Sequence, residues 1–123
     1  MNRSVLIIDD EQEIRKVCRR ALIREAYIVE AAEDGKRGLE LMQSKKFDVV
    51  LVDLKMAGMN GLEVIRRIKK DYRNTKVIVI TGFPTIESTV ESIRLGAEDY
   101  LVKPFNISEL SSSIRKCVSV RPP

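Results

Sequence analysis

The chain has 123 residues, 44% of them hydrophobic, which suits a single domain with a buried core of its own. Its 22 Lys and Arg against 18 Asp and Glu leave a formal charge of +4; no window is strongly basic and aromatics are few, so the charge reads as a solvated surface and no direct nucleic-acid binding is expected. Cys18 and Cys117 lack metal-type spacing and no His accompanies them, which excludes a zinc site and makes both small core residues of a reducing compartment, while no apolar run approaches the roughly 20 residues of a membrane span, so a cytoplasmic protein without an anchor is expected.

Strand-like runs alternate with helix-like patterns five times, the signature of a parallel α/β sheet. Val5 to Ile8 is a short buried strand. Ile14, Val17, Cys18, Ala21 and Leu22 then recur at the spacing of one helix face. Tyr27 to Ala31 suits a second strand, Asp34 and Gly35 a turn, and Leu39 and Met42 the inward side of a second helix. Phe47 to Val52 is the third strand, and 56–61 a loop whose Gly58 and Gly61 suit unusual backbone angles. Leu62, Ile65 and Ile68 form the stripe of a third helix.

Val77 to Ile80 gives a fourth strand that ends at Thr81 and Gly82. Pro84 can start a helix with Ile86, Val90 and Ile93 turned inward, and Gly96 closes it. Tyr100 to Val102 is a short fifth strand stopping at Lys103 and Pro104. Ile107, Leu110, Ile114, Cys117 and Val118 make the last stripe, with Ser108 as its cap. Residues 1–119 are read as the domain, and Arg121, Pro122 and Pro123 as the start of an extended linker at 120–123, after which a further domain can follow.

Asp9 and Asp10 end the first strand and Asp53 ends the third, so all three acids meet at the carboxyl edge of the sheet, where ligands of such sheets bind. At ~4 Å and an effective dielectric near 20, each pair of like charges costs about 4 kcal/mol, so the cluster must take up protons or a cation. With only oxygen ligands on offer, Mg²⁺ is the expected ion. A carboxylate beside such an ion can attack phosphorus, and Lys103 and Thr81, each ending its own strand, supply an ammonium and a hydroxyl for the phosphoryl oxygens.

Over essentially its whole length the sequence resembles the receiver domain of bacterial two-component response regulators. The resemblance rests on Val5 to Asp10 with the acidic pair, on Asp53-Leu54-Lys55-Met56-Ala57-Gly58-Met59-Asn60-Gly61, on Thr81-Gly82, and on Lys103-Pro104-Phe105. It implies a flavodoxin-like, doubly wound parallel sheet of five βα units with strand order 2-1-3-4-5 and helices on both faces. It further implies that Asp53 accepts a phosphoryl group from a phosphohistidine on a sensor kinase, catalysing only its own phosphorylation and dephosphorylation. Asp10, Asp53 and the backbone carbonyl of Lys55 would bind Mg²⁺, with Asp9 acting through water. Thr81 and Lys103 would bind the phosphoryl oxygens, Tyr100 would be an aromatic switch that turns inward as Thr81 moves, and the bond between Lys103 and Pro104 would be cis.

The stretch Thr81-Gly82-Phe83-Pro84-Thr85-Ile86-Glu87 is similar to receivers of transcription activators of the nitrogen-regulation type. Ala57 departs from the family, which usually has Pro four residues after the acceptor, and Lys55 places a cation two residues after it. If a homodimer forms, the resemblance puts it on the fourth helix, fifth strand and fifth helix.

Each residue also has an ordinary reading. Asp9 with Asp10 can cap the first helix, Asp53 can be a turn residue, Thr81 a cap, Lys103 a solvated cation and Tyr100 a strand aromatic. A small Mg²⁺-dependent phosphatase working through an aspartyl-phosphate is an alternative, but Lys55 stands where such enzymes carry a second Asp. A receiver-like interaction module that takes no phosphate is the other.

Overall fold

A computed structural model describes residues 3–119; the expected linker at 120–123 lies outside them. Five parallel strands form one sheet in the order β2-β1-β3-β4-β5. The strands are β1 (Ser4–Ile8), β2 (Ile28–Ala32), β3 (Val49–Asp53), β4 (Lys76–Thr81) and β5 (Asp99–Val102). The helices between and after them are α1 (Gln12–Arg24), α2 (Gly35–Ser44), α3 (Gly61–Asp71), α4 (Ile86–Arg94) and α5 (Ile107–Ser119). The expected fold class and strand order are the ones observed.

The strand sequences explain the layers. Val5 to Ile8, Val49 to Val52 and Val77 to Ile80 are inaccessible to solvent on both faces, as continuous aliphatic runs in the middle of a parallel sheet should be. Alternate residues feed opposite cores. Leu6, Ile8, Val50, Val52, Val77 and Val79 pack with Leu41, Met42, Val64, Ile65 and Ile68 of α2 and α3. Val5, Ile7, Val49, Leu51, Ile78 and Ile80 pack with Cys18 and Leu22 of α1 and with Leu110, Ile114 and Cys117 of α5. Both cysteines are free and buried, and burial, with Asp9 adding to it, pushes the Cys18 thiol up to about 11.

Several boundaries and faces differ from the sequence expectations. β3 starts at Val49 rather than Phe47; Asp48, just before it, accepts the Ser4 N–H on its carboxylate at 2.8 Å while its backbone bonds to Ser4 and Lys76. Val17 is 47% exposed on α1, so that stripe narrows to Cys18 and Leu22, with Ile14 at its margin. The cap of α5 is Asn106, not Ser108: Asn106 Oδ1 accepts the Glu109 N–H at 2.8 Å while the Glu109 carboxylate accepts the Asn106 N–H at 3.2 Å.

The largest departure is α4. Ile86, Val90 and Ile93, expected inward, are 83%, 46% and 62% exposed. Ser92 is buried instead, with Ser88 half-buried, and the Ser92 hydroxyl donates to the Ser88 carbonyl at 2.6 Å. Periodicity groups the three aliphatics on one side of the helix but does not say which way that side points. The ends fix only where the helix starts and stops, with a reciprocal cap between Thr85 and Ser88 at the start and Gly96 at φ +108° after Leu95 at the close. Pro84, expected to start the helix, precedes it: Thr85 is the cap and Ile86 the first helical residue.

Candidate active site

The chain runs from β1 out to β2 and returns to β3 on the other side of β1, which opens a crevice beyond the carboxyl ends of β1 and β3. Asp53 is the last residue of β3, and Asp9 and Asp10 follow β1 directly. Their carboxylates offer oxygens that all lie within 4.8 Å of one another. Asp9 is fully buried, Asp53 nearly so, and Asp10 is exposed at the rim.

Lys103, carried just past β5, reaches across β4 into this cluster. Its Nζ stands 3.2 Å from Asp53 Oδ2, 2.8 Å from Asp9 Oδ2 and 2.6 Å from Glu11 Oε1. Burial alone would pull the ammonium down, but the carboxylates of Asp9 and Glu11 at hydrogen-bonding distance, helped by the charge of Asp53, outweigh it and raise it above the ordinary lysine value. Glu11 was not among the residues singled out from the sequence. It follows the acidic pair, where it reads as one more helix-start acid, and nothing local reveals a contact with a residue 92 positions away.

Asp53 is held from both sides. Its Oδ1 accepts the Lys55 N–H at 3.0 Å and its Oδ2 accepts from Lys103. Burial pushes the Asp53 carboxyl above its usual value and Asp9 adds to this, against the opposing pull of the Lys55 amide and of Lys103. Asp9 Oδ1 accepts the Glu11 N–H at 2.8 Å. Asp9 Oδ2 lies 2.8 Å from the Lys103 ammonium as an ion pair and, among the described residues, is buried without a hydrogen-bond partner.

Thr81 closes β4 one residue beyond Ile80, the register partner of Asp53, and its carbonyl accepts the Lys103 N–H at 2.7 Å. The buried Thr81 hydroxyl accepts the Phe83 N–H at 3.1 Å, which leaves its own hydrogen free to be donated. The Lys103–Pro104 peptide is cis. Tyr100 is half-buried against the core under α2 and α3, with its hydroxyl 3.1 Å from Ser88 Oγ of α4. Beside Asp53, Lys55 Nζ lies 4.5 Å from the centre of the exposed Phe83 ring, bridging the β3–α3 and β4–α4 loops.

The two glycines of the β3–α3 loop serve different ends. Gly58 has φ +82°, whereas Gly61 is needed for space: a Cβ there would come within 2.5 Å of the Asp53 carbonyl oxygen and the Leu54 Cα. Close approach of α3 to the end of β3 is therefore part of how Asp53 is positioned.

Residues 5–115 match the model of the response regulator receiver domain family. The chain belongs to this family. Among its relatives is the response regulator ArlR of Staphylococcus epidermidis, 37% identical over 119 residues, covering 97% of this chain and 54% of the relative. The receiver thus spans about half the length of such curated relatives. A CheY-like receiver domain protein from Methanospirillum hungatei superposes with a TM-score of 0.94 at 30% identity, covering 97% of this chain and 95% of the other. The response regulator TrrA of Thermotoga maritima, solved in complex with Mg²⁺ and BeF, superposes with a TM-score of 0.85 at 34% identity, covering 94% of this chain and 98% of that one.

Receivers of this family bind Mg²⁺ at an acidic aspartate cluster. The residues here fit that ion: three carboxylates converge, the ligands are all oxygen, and a buried Asp9 oxygen is left without a hydrogen bond. No helix among the described residues is long and apolar enough to cross a membrane.

Proposed function

We propose that this receiver is the phosphoacceptor of a two-component system and that Asp53 takes the phosphoryl group from a phosphohistidine on a sensor kinase or phosphotransfer protein. The observation that carries the reading is the Lys103 ammonium 3.2 Å from the Asp53 carboxylate, at the edge where Asp9 and Asp10 converge. An oxygen of Asp53 forms the new P–O bond as the P–N bond to the donor imidazole breaks; the ring nitrogen keeps that electron pair and takes up a proton. Lys103 meets the charge on the phosphoryl oxygens, and the Thr81 hydroxyl donates its free hydrogen to one of them.

Asp10, Asp53 and the Lys55 carbonyl would hold Mg²⁺, with Asp9 acting through water. When bound, the ion supplies positive charge against the crowded carboxylates and the phosphoryl group. Attack by water on the acyl phosphate returns Asp53 to a carboxylate and releases inorganic phosphate, so the chemistry the domain catalyses is its own phosphorylation and dephosphorylation. The Lys55 side chain across Phe83 stands where it can alter how water reaches that bond.

The phosphoryl group biases an equilibrium between two arrangements of the loops, with Thr81 moving toward it and Tyr100 turning inward. The state is read by an output domain following residue 123, or by a second copy meeting α4, β5 and α5, in a cytoplasmic protein of the kind that regulates transcription. A nitrogen-regulation type of activator is the proposed class.

Acetyl phosphate in Mg²⁺ tests the assignment. Tryptic mass spectrometry is expected to find a single phosphoryl group on the peptide holding Asp53 and none in Asp53→Asn. Incorporation at another residue in that variant overturns the assignment, and steady turnover of a phosphomonoester would favour a phosphatase instead.

A further inference from the structure

Glu11 sits at the N-cap of α1 with extended backbone, φ −88° and ψ 115°, yet its side chain makes no capping hydrogen bond. An N-cap acceptor ordinarily takes an N–H of the first turn. The Glu11 carboxylate is spent elsewhere, 2.6 Å from Lys103 Nζ. An ammonium has three hydrogens, and this one faces three carboxylates, those of Asp9, Asp53 and Glu11. Glu11 and Asp53 accept hydrogen bonds from the ammonium and Asp9 Oδ2 faces it as an ion pair, so a phosphoryl oxygen that needs the charge of Lys103 competes with these acids and takes the place of the one that yields most easily.

Burial decides which. The Asp9 side chain is fully buried and that of Asp53 is 4% exposed, so neither can leave the ammonium for water. The Glu11 side chain is 58% exposed and is hydrated again as soon as it swings out. We propose that Glu11 is a positioning residue that latches the Lys103 ammonium in the resting receiver, and that an arriving phosphoryl oxygen takes its place. The latch rests on the phosphoacceptor reading of Asp53 given above.

As a competitor for Lys103, Glu11 weakens the hold on a phosphoryl donor, so freeing the lysine lowers the donor concentration needed. The whole 123-residue chain is labelled with acetyl phosphate at saturating Mg²⁺, and the half-saturating concentration and maximal rate are compared for wild type, Glu11→Gln and Glu11→Asp. Glu11→Gln removes the charge, whereas Glu11→Asp keeps it but is one methylene too short to reach Lys103. Both variants are expected to lower the half-saturating concentration roughly two- to fivefold, the range an exposed ion pair commands, with the maximal rate changed less. Melting curves confirm that each variant folds.

If Glu11→Asp behaves as wild type while Glu11→Gln does not, the effect is one of net charge and the latch is wrong. If either variant labels more slowly and calorimetry shows weaker Mg²⁺ binding, Glu11 serves the cation and the latch is equally wrong. Unchanged half-saturation in both also overturns it. Wild type that takes no label, or takes it away from Asp53, overturns the phosphoacceptor reading and the latch with it.

Discussion

The Tyr100 hydroxyl and the Ser88 Oγ lie 3.1 Å apart, which ties β5 to the first turn of α4. Ser88 is also the third residue of the α4 cap, its hydroxyl 3.2 Å from the Thr85 N–H and its own N–H donating to Thr85 Oγ1 at 2.9 Å. One oxygen thus serves the helix start and the aromatic ring together. Any inward turn of Tyr100 breaks the tie, so the proposed switch motion is coupled to the stability of α4.

Removing that oxygen tests the coupling. Ser88→Ala loses one side of the reciprocal cap and the tyrosine tie, at a cost of about 1 kcal/mol concentrated in α4. Amide hydrogen exchange across residues 86–94 is expected to quicken while β1 and β3 stay protected. Unchanged exchange in α4 would show that the shared hydroxyl contributes nothing there.

Asp53 predicts a pH dependence. Its carboxyl is raised above the ordinary 3.8, chiefly by burial and further by Asp9. The fold therefore binds the proton more tightly than the unfolded chain does. Stability from this group is fully present below the ordinary carboxylate value and is lost as pH rises through the raised one. Asp53→Asn escapes that loss: in metal-free urea titrations it should be more stable than wild type at pH 7, with the gap narrowing toward pH 4. A gap that widens on acidification would contradict the burial argument.

Lys103→Ala leaves Asp9 and Asp53 facing each other without their shared ammonium. Breaking a buried pair from one side costs roughly 3 kcal/mol, so the variant should melt well below wild type in metal-free buffer. Added Mg²⁺ should still stabilise it, because none of the proposed metal ligands has been removed. Beryllofluoride should then fail to produce the activated conformation, as read by chemical-shift changes at Tyr100; a normal response would remove Lys103 from the coupling.

The orientation of α4 can be checked from both of its sides. Replacing the exposed Ile86 or Ile93 by Ser should shift stability by no more than about 0.5 kcal/mol. Ser92→Leu on the buried side should instead cost roughly 1–3 kcal/mol through overpacking. Urea midpoints measured on the three variants distinguish this helix from one with its aliphatics turned inward, which would reverse the order.

The acids and the strands that carry them were legible because both signals are local. Val5 to Ile8 and Val49 to Val52 are unbroken aliphatic runs, and an acid at the end of such a run lies at the sheet edge whatever the rest of the chain does. Asp9, Asp10, Asp53, Thr81 and Lys103 could therefore be named before any contact was known. The helix caps were less legible, since Asn106 and Ser108 both suit a cap and only hydrogen-bond geometry separates them.

By itself, the sequence determined the alternation of strand and helix, the aliphatic strand runs and the acids at one edge, since periodicity and run length are properties of neighbouring residues. Tertiary structure alone decided that the α4 aliphatics face outward, that Tyr100 meets Ser88, and that Glu11 meets Lys103. The physical reason is range. Which residues share a helix face follows from a repeat of 3.6, but the direction of that face, and which charge reaches a given lysine, depend on how distant segments pack and which of them can give up water.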